Sequence, residues 1–142
     1  MSVKRIFQKK NNNSQEQIVF VADNTPKELS NIVSDLISMR GILRLDVIQK
    51  SGKTLYSYNR WGKSAKTLEE NESLSIIDSI KKKLSKIDKK QVNQIIIRAD
   101  DVNFIAFSTL KIIAILQCDK KAKLPMVTIK TKRIATKITE MI

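Results

Sequence analysis

From residue 93 to residue 117 the chain reads "NQIIIRADDVNFIAFSTLKIIAILQ", a mostly apolar run without a single proline or glycine. It divides into three segments of strand length, 92–99, 102–108 and 112–118. "ADD" (99–101) and "STLK" (108–111) leave room only for tight reversals between them. Three strands joined this closely must run antiparallel, as a meander. In the first segment Val92 and Gln94 alternate out of phase with Ile95 and Ile97, and Ile96 makes the run nearly continuous. Strands that are apolar on two faces need cover on both sides. This one stretch therefore requires a central antiparallel sheet held between helical layers.

The flanking sequence supplies the cover. In "DNTPKELSNIVSDLISMRG", Thr25 is a good N-cap, Pro26 suits the first helical position and Glu28 completes a capping box. Leu29, Ile32, Val33, Leu36 and Ile37 recur at helical spacing and Gly41 supplies the stop, which predicts a helix over 26–40. "ILRLDVIQKSGKTLYSYN" reads as a hairpin. Leu43, Leu45 and Val47 share one face, Arg44 and Asp46 the other, and Gly52 is available for a positive φ in the turn. Trp61 falls in the polar connection that follows and suits a loop anchor packed on the body. A second helix is expected from 68 or 71 to 87, glutamates early and lysines late in accord with the helix dipole. Its Leu74, Ile76, Ile77, Ile80, Leu84 and Ile87 form a broad apolar stripe. A final helix starts near Pro125, with Val127, Ile134, Ile138, Met141 and Ile142 on one face and Lys132, Arg133 and Lys137 opposite. Residues 1–24 are a basic, then polar extension in which "QIVFVAD" (17–23) is a candidate extra strand. Residues 25–142 form the domain. The expected class is α+β, an α/β/α sandwich around a five-stranded antiparallel sheet in the order α-β-β-α-β-β-β-α.

The chemistry a catalyst needs is sparse. There is no histidine, and the lone Cys118 lies in the apolar run, where a small buried hydrophobe is expected rather than a nucleophile. Three glycines, each explained by a turn, cannot write a phosphate-cradling loop. The carboxylate pairs Glu69–Glu70 and Asp100–Asp101 suit a helix N-terminus and a hairpin turn. No enzyme activity, cofactor, metal or small-molecule substrate is expected. The formal net charge of +13 invites nucleic acid, an anionic membrane or an acidic partner. The charge is dispersed, however, and aromatics make up 5% of the chain without interleaving the lysines. With no export signal and no apolar run of membrane length, a cytoplasmic location is expected.

The element order, together with "SMRGILRLDVIQKSGKTLYSY" and "KIIAILQCDKKAKLPMVTIKTKRIATKI", resembles the Roadblock family of dynein-associated light chains and their relatives. Longin and profilin-like domains share related architectures. The resemblance implies a non-enzymatic homo- or heterodimer that serves as a platform for a small Ras-like GTPase or a larger motor or signalling assembly. Such domains pair the strand found here at 92–98 with its counterpart, and pack the preceding helix alongside. The expected dimer interface is then Ile77, Ile80, Leu84, Val92, Gln94, Ile96 and Arg98. Lys81, Lys82, Lys83 and Lys86 are the expected partner-binding positions. A free apolar edge at 92–98 is an aggregation hazard that two-fold pairing removes. Arg98 and Arg133 are candidates for an arginine finger, although a strand end and a solvated helix face account for them. The alternatives are a basic adaptor contacting nucleic acid or anionic membrane, and a longin-like trafficking module.

Overall fold

The computed structural model describes residues 4–10, 16–23, 25–60, 75, 79, 82 and 93–142. Its elements in chain order are β1 (Lys4–Lys10), β2 (Glu16–Ala22), α1 (Glu28–Ile37), β3 (Ile42–Gln49), β4 (Thr54–Asn59), β5 (Gln94–Arg98), β6 (Val102–Ser108), β7 (Ile112–Asp119) and α2 (Leu124–Met141). The helix expected over 68–87 lies outside the described residues, except that Ser75, Ser79 and Lys82 are helical. Trp61 also lies outside them.

All seven strands join one antiparallel sheet in the order β1-β2-β4-β3-β7-β6-β5. Five strands were expected, and the two additional ones come from the first 24 residues. β2 realises the candidate strand at 17–23 and finds its partner in β4, Val19 opposite Tyr58 and Val21 opposite Tyr56. β1 was not anticipated. Four of its residues, in "KRIFQKK", are cationic, and an outermost strand needs no continuous apolar face to announce it.

The meander is as the sequence requires, with β7 buried on both faces from Ile112 to Cys118. Its even-numbered residues, Ile112, Ala114, Leu116 and Cys118, join the larger core with Leu45, Val47 and Ile105. Leu29, Val33 and Leu36 of α1 and Val127, Ile134 and Ile138 of α2 close that core from above. On the opposite face Ile48, Ala106, Ile113 and Ile115 form a second cluster. The strands thus offer apolar side chains in both directions, and among the described residues α1 and α2 cover the first of the two faces.

The start of α1 departs from expectation. Thr25 does not cap it, and the Thr25–Glu28 capping box is not formed. Lys27 occupies the N-cap without a side-chain hydrogen bond, and the Leu29 amide donates to the Pro26 carbonyl at 3.1 Å. The helix thus starts two residues later than a Thr25 cap requires, and the Thr25 hydroxyl is buried without a partner among the described residues. The β3–β4 turn follows the sequence reading, with Gly52 at φ 102°. In α2 the buried positions are Val127, Thr131, Ile134, Ala135 and Ile138, while Met141 and Ile142 are half-buried at the margin. Thr131 is admitted to the core because its hydroxyl donates to the Val127 carbonyl at 2.7 Å. No helix among the described residues is long and apolar enough to cross a membrane.

Candidate functional site

Among the described residues β5 is the last strand of the sheet: it pairs with β6 on one side and has no described strand on the other. Its register sets Ile96 opposite Ile105 and Ile95 opposite Ala106. Partners in register share a face, so Gln94, Ile96 and Arg98 lie on the face that carries α1 and α2. Ile95 and Ile97 lie on the face of the second cluster, where Ile95 packs against it. The strand alternates accordingly. Ile95 and Ile97 are half-buried; Gln94, Ile96 and Arg98 are exposed, Ile96 at 38%.

The backbone of β5 defines what the edge can do. The Asn93 carbonyl accepts from the Ser108 amide at 2.9 Å, and the Ala99 amide donates to the Val102 carbonyl at 3.0 Å. Odd-numbered residues therefore face β6. By antiparallel alternation, the N–H and C=O groups of Gln94, Ile96 and Arg98 point away from the sheet. Those are the three described residues of the sequence-derived interface, and they present a ladder of donors and acceptors ready for another strand. Val92, Ile77, Ile80 and Leu84 lie outside the described residues, as do Lys81, Lys83 and Lys86. Lys82 is exposed. Arg98 ends its strand and is exposed, and Arg133 is exposed on α2.

Asp46, Arg44 and Ser57 form a polar cluster within the sheet. Asp46 is 2% exposed; Arg44 Nε donates to its Oδ2 at 2.8 Å, and Ser57 Oγ to its Oδ1 at 2.7 Å. The sequence placed Arg44 and Asp46 on the strand face opposite Leu43, Leu45 and Val47; the structure pairs them there, Asp46 buried and Arg44 half-buried. Register explains Ser57, which stands directly opposite Asp46 on β4. Burial, then the charge of Asp119, pushes the Cys118 thiol up to about 11, with Lys120 opposing, so the thiol is held in its inert form. Burial also raises the Tyr56 and Tyr58 phenols. Asp100 and Asp101 are exposed in the β5–β6 turn. No group of three or more potential metal ligands occurs among the described residues.

No protein-family profile and no curated protein sequence matches the chain. Solved structures do. The gliding protein MglB of Thermus thermophilus is similar over 84% of this chain and 93% of its own, at 12% identity and a TM-score of 0.65. MglB of Myxococcus xanthus is similar over 81% and 94%, at 11% identity and a TM-score of 0.64. A Roadblock/LC7 domain from Streptomyces avermitilis is similar over 79% and 95%, at 11% identity and a TM-score of 0.57. Identities this low speak for the fold, and the fold of this chain is Roadblock-type.

Proposed function

We propose that the chain is a non-catalytic scaffold or regulator that pairs with a second Roadblock-type chain through β5 and carries a small Ras-like GTPase. The observation that carries the first half is the open ladder of Gln94, Ile96 and Arg98 at the end of the sheet. A two-fold axis through Ile96 sets Gln94 opposite Arg98 of the second copy and makes about six backbone hydrogen bonds, two for each of three narrow pairs. It opposes no like charges, since Arg98 is the one charged residue of the strand. The resulting two-fold contact closes on itself and leaves no β5 edge free.

The GTPase half rests on what the Roadblock resemblance implies, with the lysines at 81–83 and 86 as the expected contact. Light scattering on a sizing column checks the pairing: a dimer is expected at micromolar concentration, and a strict monomer contradicts it. Pull-down with small GTPases in both nucleotide states checks the partner. Preferential capture of one state is expected, and equal capture of both contradicts regulation.

A further inference from the structure

α2 carries a second chemistry on its outer side. Its inner side buries Val127, Thr131, Ile134, Ala135 and Ile138. Opposite them, Met126 is 51% and Ile129 59% exposed, two large apolar side chains held out to solvent. Three residues apart on a helix, they lie within about 60° of each other and form one ridge. Arg133 continues that ridge one turn on, with Lys132 to one side of it and Lys137 to the other, all three exposed. Lys121 and Lys123, also exposed, stand just before the first turn, which holds no acidic residue. The one carboxylate of the helix is Glu140, near its C-terminal end.

We propose that this ridge is a docking surface for an anionic lipid bilayer, with Met126 and Ile129 entering the interface and the flanking cations meeting the headgroups. This goes beyond the pairing at β5 and does not depend on it.

Two observations together select that occupant. Single apolar side chains on a surface are ordinary. An apolar pair on a convex helix, with cations along both flanks, is the pattern of a helix that lies in a membrane interface. Lysine stems run beside the apolar pair while their charged ends reach the headgroups. The inner side of α2 stays committed to the core, so the helix rests on the bilayer without leaving the domain. The neighbouring α1 does not oppose this, because the exposed charges on it and its flanks balance, Lys27 and Arg40 against Glu28 and Asp35.

Other occupants fit less well. Nucleic acid would set phosphates against the apolar pair, and the ridge has no aromatic side chain on which a base could stack. Two copies packed ridge to ridge would bring cations against cations, a costly juxtaposition. An acidic protein would need a pocket shaped to two projecting side chains, whereas a bilayer accepts them without one.

The test is co-sedimentation of the full-length protein with phosphatidylcholine vesicles, with and without phosphatidylserine. Binding only to the phosphatidylserine vesicles, weakened by salt, is expected. Met126→Gln with Ile129→Gln should weaken it roughly tenfold. Lys132→Gln with Lys137→Gln should weaken it about 25-fold, fivefold for each cation. All four side chains are exposed, so the fold should tolerate both pairs of changes. Insertion is read separately with an environment-sensitive dye on Met126→Cys, Cys118 being buried and out of reach of the label. Its emission should shift to the blue on the phosphatidylserine vesicles. The same dye on Ser51→Cys, in the exposed β3–β4 turn, should not shift. Equal binding to both kinds of vesicle overturns the proposal. Undiminished binding of the Met126→Gln, Ile129→Gln variant does so as well, as does a dye at Met126→Cys that shifts no more than the one at Ser51→Cys. Tight binding of duplex DNA or polyglutamate, with none of the vesicles, overturns it in favour of those partners.

Discussion

At Gly41 the backbone φ is 89°, and a Cβ there would lie 2.6 Å from the Ala122 amide nitrogen and 2.6 Å from Asp119 Oδ1. At Gly52 the φ is 102°, and a Cβ would meet nothing within 4 Å. Gly52→Ala therefore carries the left-handed strain alone, about 1 kcal/mol, whereas Gly41→Ala adds a backbone clash and is expected to cost about 3 kcal/mol. Paired denaturation curves check the difference. Alkaline stability is a second matter at this scale. Folding holds the Cys118 thiol near 11 against an ordinary value of 9.0. Its contribution is whole below the unfolded value and is lost as pH climbs towards the folded one. The buried Tyr56 and Tyr58 act in the same direction. Stability should thus fall across this alkaline window, less steeply in Cys118→Ala, as followed by denaturant midpoints at stepped pH.

β5 reports on its own role through proline. The Ile96 N–H points off the sheet, so Ile96→Pro removes no hydrogen bond to β6; edge strands tolerate proline at such positions. The folded chain is expected to survive as a monomer. Ile95→Pro, one residue earlier, removes a ladder hydrogen bond to β6 and should unfold the edge. Circular dichroism with sizing separates the two outcomes, and an Ile96→Pro variant that stays dimeric would move the interface elsewhere. The sequence marked this segment by its isoleucine run. It could not tell an edge strand from a central one, because three consecutive isoleucines suit either. Nor did it find β1, whose lysines mask the period of two, or the Thr25 hydroxyl left without its helix. β1 is defined by its pairing with β2, and the start of α1 by a backbone turn from Pro26 to Leu29.

For the molecule as a whole, the proposed pairing through β5 would link stability to concentration: the thermal midpoint should rise with protein concentration and lose that dependence in Ile96→Pro. Calorimetry over a range of concentrations measures it. The proposed regulation of a GTPase by scaffolding, without a donated arginine, predicts that Arg98→Ala and Arg133→Ala leave that GTPase's rate of GTP hydrolysis unchanged. A large loss in either variant would assign that arginine a direct part, since a finger in trans is worth orders of magnitude in rate.

The sequence alone determined the meander, the β3–β4 hairpin, the existence of a helix within 26–40 and of a last helix from near Pro125, and the poverty of catalytic groups. Each is written in local spacing or in residue type, which no distant contact alters. Only the tertiary structure decided which strands end the sheet, how Arg44, Asp46 and Ser57 meet, and that the first residues extend the sheet by two strands. Those outcomes depend on pairing between segments far apart in the chain. Strand order is a choice among apolar surfaces that look alike until they are packed.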